Sequence, residues 1–314
     1  MNVAVIGVGN LGRRHLQALE ELKGKNEIFG VEINQSAIPA LKQEYPWVRF
    51  VPCVSELPTA ICTAGMATNA NVRRELFDQL VSHASVSNII FEKVLFQTRE
   101  DYEHVRTELA RLGIHAWVNC ARREWDAYKR LREELAHCRE MHFSACGGNW
   151  GLGCNTIHML DLIEFLSGDK VGTVEISGLQ NHLVESKRKG FYEFFGTIRG
   201  TAGKCKDYMI TCMQDASLPL SIEITTESGR YLIYEGSNVI RKSTLQNSWQ
   251  WQEEEFKQVY QSQMTGRIVR SIQERGICNL TEYEASMELH LKYIVPLISF
   301  FNKNGMEGEI CPIT

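Results

Sequence analysis

The stretch NVAVIGVGNLG at positions 2–12 constrains the fold more than any other part of the chain. A β-rich run, Val3 to Ile6, leads straight into Gly7, Gly9 and Gly12 at G-x-G-x-x-G spacing, and a helical run carrying Leu11, Leu16 and Leu19 follows. A strand, a glycine turn and a helix in that order aim unpaired helix N–H groups, and the positive end of the helix dipole, at a phosphate. The glycines answer three steric demands: a tight turn, close approach of the backbone to a pyrophosphate, and close packing of helix on strand. Asn10 and Leu11, inside the turn, are expected beside the cofactor together with Gly7, Gly9 and Gly12.

The glycine pattern alone is a weak signal, and its surroundings strengthen it. A second strand, EIFGVEI, ends at Glu32, 20 residues beyond Gly12. An acid there accepts hydrogen bonds from the adenosine ribose hydroxyls and repels a 2′-phosphate, which favours NAD; Asn34 and Arg13 leave NADP open. Helical runs at 37–45, 73–82 and 99–112 alternate with strand-like runs at 48–51, 59–66, 88–91 and 114–118. Such alternation predicts a Rossmann-type, doubly wound parallel sheet over residues 1–118, with ligands beyond the carboxyl ends of its strands. Thr68 and Asn69 fall at one such end and Glu92-Lys93 at another. Lys93 is placed to stabilise charge on an oxygen near a nicotinamide, or else simply caps a strand end in solvent.

From residue 119 to 314 the pattern changes. Helical runs at 125–138 and around His158 flank a strand at 141–146, and six strand-like runs between 173 and 241 follow without intervening helices. Neighbouring strands of that kind predict an α+β domain with a mixed, largely antiparallel sheet, read as the substrate-binding and oligomerisation domain. Helices are expected again at 253–275 and 281–302, and a hinge near 119–123.

Composition removes several classes of partner. With 34 basic and 38 acidic residues, net charge is −4 and the cations are scattered, so nucleic acid is not expected. No apolar run approaches the ~20 residues that span a bilayer, and the N-terminus lacks the parts of a signal peptide, so no membrane partner is expected. The ten cysteines include no C-x-x-C pair, which argues against a metal site and for reduced thiols in the cytoplasm.

The second candidate site is GCNTIHMLDLIEFLSG, 153–168. With Asn155 as N-cap, His158 falls in the first helical turn, where the dipole favours a neutral imidazole able to accept a proton. Asp161, three residues on, shares that face and is expected to orient the ring. A lone histidine near the start of an apolar helix is more often structural, so the helix needs support from elsewhere. Cys154 reads as a small packing residue. Lys187, Arg188 and Lys189 read as a solvated turn or as a contact for the phosphates of a nucleotide-linked sugar.

Taken together, VAVIGVGNLGRRH, FEKVLFQT at 91–98, the Arg122-Arg123 region and GG…IHMLDLIEFLSG at 147–168 resemble the glucose–fructose oxidoreductase/inositol dehydrogenase (Gfo/Idh/MocA) family along essentially the whole chain. The resemblance implies an NAD(P)-dependent oxidoreductase acting on a sugar or nucleotide sugar, in which a mixed sheet builds a homodimer or homotetramer. Lys93 matches the lysine of the family's Glu-Lys-Pro motif. His158 matches the histidine of its Asp-x-x-x-His motif, the proton donor and acceptor, and Arg122 and Asn155 are implied as substrate contacts. Two positions depart. Val94 replaces the proline, which argues against the family's cis peptide, since non-proline cis bonds are costly. Cys154 replaces the aspartate. GNWGLGCNTIH and KRKGFYEFFG further resemble a subgroup found near bacterial surface-polysaccharide genes. Two other classes stay open: a hydrolase or epimerase with resident NAD, and an NAD-binding regulatory protein without chemistry.

Overall fold

Strand β1 (Asn2–Ile6) is buried from Val3 onward, and a run apolar on both faces belongs in the middle of a parallel sheet. The computed structural model describes all 314 residues and divides into two units, the first comprising Met1–Ala121, Val259–Met287 and Thr314. Following β1 in that unit are α1 (Asn10–Leu19), β2 (Glu27–Val31), α2 (Ile38–Glu44), β3 (Val48–Val51), β4 (Ala60–Met66), α3 (Ala70–His83), β5 (Ser85–Phe91), α4 (Arg99–Leu112) and β6 (His115–Val118). These six strands are parallel, in the order β6-β5-β4-β1-β2-β3. The order reverses at β1, so the crevice beyond β1 and β4 is the switch point where such sheets bind ligands. Local chemistry sets the helix limits. Thr98 Oγ1 accepts from the Asp101 N–H at 3.2 Å to open α4, and Gly113, at φ 67°, closes it.

The second unit comprises Arg122–Gln258 and Glu288–Ile313. Its elements are α5 (Asp126–Glu134), β7 (Met141–Gly148), α6 (Leu152–Ser167), β8 (Thr173–Leu179), a short hairpin of β9 (Val184–Glu185) and β10 (Tyr192–Glu193), β11 (Gly196–Ala202), β12 (Cys205–Met213), β13 (Ser221–Thr226), β14 (Gly229–Tyr234), β15 (Val239–Thr244) and β16 (Gln252–Glu255). Eight strands form one sheet, β16-β15-β14-β13-β7-β12-β11-β8, in which only β7 and β12 pair in parallel. Along β7 the side chains alternate: Met141, Phe143 and Ala145 are buried, while His142, Ser144 and Cys146 face outward. The apolar α6, buried almost throughout, packs on the inner face.

Three expectations need correction. The helix predicted from residue 253 begins at Thr265, as α7 (Thr265–Arg275). The acidic run before it is the edge strand β16, where Glu253 and Glu254 reach Arg241 and Lys242 of β15, both at 2.9 Å, so cross-strand ion pairs replace helical periodicity. Residues 259–287, assigned from sequence to the second domain, belong to the first unit. There α7 lies so close to α1 that a Cβ on Gly266 would be 2.3 Å from Ala18 O, and β17 (Thr281–Glu282) adds an antiparallel seventh strand beside β6. Finally, the helix expected at 125–138 ends at Glu134. The last helix, α8 (Tyr283–Lys303), is one of several that are long, yet no helix is long and apolar enough to cross a membrane.

Candidate cofactor and active site

The turn after β1 is built as its glycines require. Gly7 has φ 89°, and a Cβ there would lie 2.8 Å from Thr68 Cγ2. A Cβ on Gly12 would lie 2.0 Å from Gly7 O, so α1 and β1 touch backbone to backbone. A Cβ on Gly9 would meet nothing within 4 Å; its open side faces a cavity of about 510 Å3. Gly7, Gly9, Glu32, Thr68 and Asn69 line that cavity, with Val72 and Leu76 of α3 forming an apolar wall. Lysine and arginine are absent from the lining. Thr68 Oγ1 is buried with no protein partner, a hydroxyl left for a ligand. Glu32 Oε1 accepts from the Asn34 N–H at 2.8 Å, and Arg13 pairs with Glu44 at 2.7 Å. Asn10, Leu11 and Gly12 form the first turn of α1.

Beyond β5 the chain turns at Glu92-Lys93. Glu92 is only 4% exposed, and its Oε1 accepts from His15 Nε2 at 3.0 Å and Asn119 Nδ2 at 2.5 Å. Its carboxylate is thus an interior group rather than one of the cavity-lining residues. Burial pushes the Glu92 carboxyl upward, but His15, Asn119 and the Lys93 charge outweigh it and hold the group below the usual range. Val94, Leu95 and Phe96 plunge into the core, whereas Lys93 is half-buried. The Lys93–Val94 peptide is cis, correcting the expectation drawn from Val94. The surrounding chain fixes this turn: the buried Arg73 guanidinium donates to the carbonyls of Glu92 at 2.8 Å, Leu95 at 2.7 Å, Val94 and Thr68.

In the second unit, α6 starts earlier than expected. Its N-cap is Gly151, φ 77°, so Asn155 lies within the helix and donates to Trp150 O at 2.7 Å. His158 therefore falls in the second turn, where the dipole argument for a neutral ring no longer applies. The ring is half-buried, with Nδ1 shielded from solvent. The carboxylate at the start of α6 comes from Glu193 of β10, whose Oε2 accepts from the Gly153 N–H at 2.7 Å. Cys154 Sγ donates to Gly151 O at 3.6 Å. Asp161 is buried and its Oδ2 accepts from Arg123 Nε at 2.7 Å. Arg122, expected at substrate, makes a two-pronged pair with Glu235 at 2.7 Å for each contact, and Tyr128 OH donates to the same carboxylate at 2.5 Å. Burial opposes both charges; their mutual attraction outweighs it, raising Arg122 and lowering Glu235.

Sequence reasoning missed Arg73, His15 and Glu193. His15 stood in the GRRH segment and Glu193 in KRKGFYEFFG, yet nothing in their spacing announced burial or partners. No group of three or more histidine, cysteine or acidic side chains gathers closely enough to hold a metal ion.

Among solved structures the chain is similar to UDP-N-acetylglucosamine 3-dehydrogenase GnnA from Acidithiobacillus ferrooxidans, with TM-score 0.73 and 14% identity over 94% of this chain and 96% of that one. An oxidoreductase from Agrobacterium radiobacter in complex with NAD+, L-tartaric acid and magnesium superposes with TM-score 0.74 at 15% identity, covering 95% of this chain and 94% of the other. A super-repressor mutant of Gal80p from Saccharomyces cerevisiae does so with TM-score 0.71 at 13% identity, covering 98% and 96%. At these identities the likeness establishes a shared fold: a Rossmann-type parallel sheet joined to a second, mostly antiparallel sheet. No family profile and no curated protein sequence matches the chain.

Proposed function

We propose that the protein is an NAD-dependent oxidoreductase of the Gfo/Idh/MocA kind, transferring a hydride between nicotinamide and the hydroxyl-bearing carbon of a sugar or nucleotide sugar. The observation that carries this reading is the cavity beyond β1 and β4, whose lining holds both the glycine turn and Glu32 and no cation. Gly7, Gly9 and the N-terminus of α1 would hold a pyrophosphate, Glu32 the ribose hydroxyls, and the unpartnered Thr68 hydroxyl a further polar atom. Absence of a cation from the lining supports NAD over NADP, which needs a partner for its 2′-phosphate.

Bound nicotinamide supplies the hydride donor or acceptor. Lys93 donates a hydrogen bond to the reacting oxygen and stabilises its charge, while His158 takes and returns the hydroxyl proton. The outward face of the eight-stranded sheet, with Met209 and Met213 each more than a third exposed, supports a homo-oligomer. Ten cysteines without a disulfide support a reducing, cytoplasmic setting.

The test is nicotinamide absorbance with free and nucleotide-linked sugars, NAD and NADP being assayed separately, in the wild type and Lys93→Met. Turnover with NAD that disappears in the mutant is expected. A second reading, a binding protein that senses NAD without chemistry, is favoured by Cys154 standing where the family has its aspartate. NAD binding with silence across the sugar panel would select it.

A further inference from the structure

Two buried ionisable side chains converge on the turn after β5 from different elements, and neither is needed merely to end a strand. Arg73, 1% exposed in α3, donates to carbonyls on both sides of Lys93, namely Glu92 at 2.8 Å before it and Leu95 at 2.7 Å after it, with Val94 between. Through Thr68 O the same guanidinium ties this turn to the wall of the cofactor cavity. On the other side the Glu92 carboxylate is gripped by His15 of α1 and by Asn119. His15 is itself held at 2.9 Å by Thr265 Oγ1, and Asn119 donates to Gln261 at 2.8 Å, so the returning segment 259–287 buttresses the turn. Buried charges are costly to desolvate, and packed apolar residues would close a strand end more cheaply. Across 92–96 every residue except Lys93 is buried, and Lys93 is half-buried.

We infer that Arg73 and the His15–Glu92 pair are positioning residues that fix Lys93 from two sides, one through the carbonyls of its turn and the other through the neighbouring carboxylate. The functional weight of this inference rests on the reading of Lys93 as the group that meets the reacting oxygen. Precise placement of such a donor matters because misplacement by about 1 Å costs on the order of a hundredfold in rate.

The experiment measures reductive methylation of Lys93 by mass spectrometry, without cofactor, in the full-length wild type, Arg73→Met, Arg73→Lys, Glu92→Gln and Glu235→Gln. NAD affinity is read on the same preparations. Loss of either anchor should speed labelling of Lys93 by about fivefold or more, because the turn then opens locally. Arg73→Lys, which keeps a cation to bond the carbonyls, should bring the rate back to within about twofold of wild type. Glu235→Gln removes a buried acid in the other unit and should leave Lys93 unchanged, separating placement from general destabilisation. Labelling of Lys93 that stays at the wild-type rate in both Arg73→Met and Glu92→Gln overturns the inference. Should Arg73→Met not fold, Glu92→Gln and His15→Gln make the same comparison. A wild type that fails to bind NAD yet shows this labelling pattern removes the proposed function and leaves the anchoring intact.

Discussion

The carbonyl oxygen of Gly7 occupies the place a side chain on residue 12 would need: only 2.0 Å separates it from an ideal Cβ there. The obstacle is backbone, which has no rotamer in which to retreat, so Gly12→Ala must push α1 off β1. Overpacking of this kind costs about 1–3 kcal/mol or more. Gly9→Ala is the instructive contrast, since its Cβ would meet no protein atom within 4 Å and the residue has an ordinary φ of −70°. We expect Gly12→Ala to lower thermal stability and abolish NAD binding. Gly9→Ala should melt like the wild type and still bind NAD at least about tenfold more weakly, because its methyl group enters the space for the pyrophosphate. Calorimetry and NAD titration of the two variants check this, and wild-type affinity in Gly9→Ala would remove that glycine from the site.

Cofactor choice should turn on Glu32. Glu32 lines the cavity, and Arg13, a candidate for a 2′-phosphate, is paired with Glu44. Glu32→Ser removes the repulsion without supplying a cation. NAD affinity should fall about tenfold, the scale of one lost charge-assisted hydrogen bond, while the NAD/NADP preference narrows. Titration of both cofactors against both proteins decides it; an unchanged preference would place the ribose elsewhere.

The first unit was legible because its signals are local. The β1 run, the three glycines, Glu32 and the periodicity of 99–112 each operate within a few residues, and α4 occupies Arg99–Leu112 as expected. What stayed hidden depends on partners far away in sequence. Glu253 reads as helical until Arg241 lies opposite it across a strand pair. Asn155 is a good N-cap by type, but Gly151, able to adopt φ 77°, opens the helix a turn earlier. Arg122 and Asp161 read as site residues, and the ion pairs they make with Glu235 and Arg123 are contacts that no spacing rule foretells. Arg73 carries the same lesson in reverse: an arginine in an amphipathic helix reads as surface, and it is among the largest fully buried side chains.

The two proposed chemical groups make separable predictions. Lys93→Met keeps the length of the side chain and removes the donor; His158→Ala removes the proton acceptor. Each should lower turnover by about a hundredfold to ten-thousandfold, the usual scale for lost acid–base or electrostatic help. NAD affinity should stay within about threefold, because neither residue lines the cavity assigned to the cofactor. Steady-state kinetics beside NAD titration provide the check; normal turnover in one variant would take that residue out of the mechanism.

Two buried glutamates in the second unit should respond to pH in opposite directions. Glu235, held below the usual carboxyl range despite its burial by Arg122 and Tyr128, contributes stability that is present above the unfolded pKa of about 4.3 and is lost as pH falls through its lower folded value. Glu164 is raised by burial, although its Oε1 accepts from the Val171 N–H at 2.8 Å. For Glu164 the folded pKa exceeds the unfolded one, so its contribution is fully present at low pH and is lost as pH rises through the folded value. Glu235→Gln leaves Arg122 buried without its counter-charge, and should cost about 3–5 kcal/mol at pH 7, with the deficit shrinking only as pH falls below the unfolded carboxyl pKa of about 4.3. Glu164→Gln retains an oxygen for Val171 and removes only the buried charge. It should be neutral or stabilising at pH 7, and its advantage should vanish below the unfolded carboxyl pKa of about 4.3. Urea denaturation of both variants and the wild type from about pH 2.5 to pH 8 covers both windows, and parallel pH profiles for the two variants would show that the charges of Glu235 and Glu164 are not held in these opposite ways.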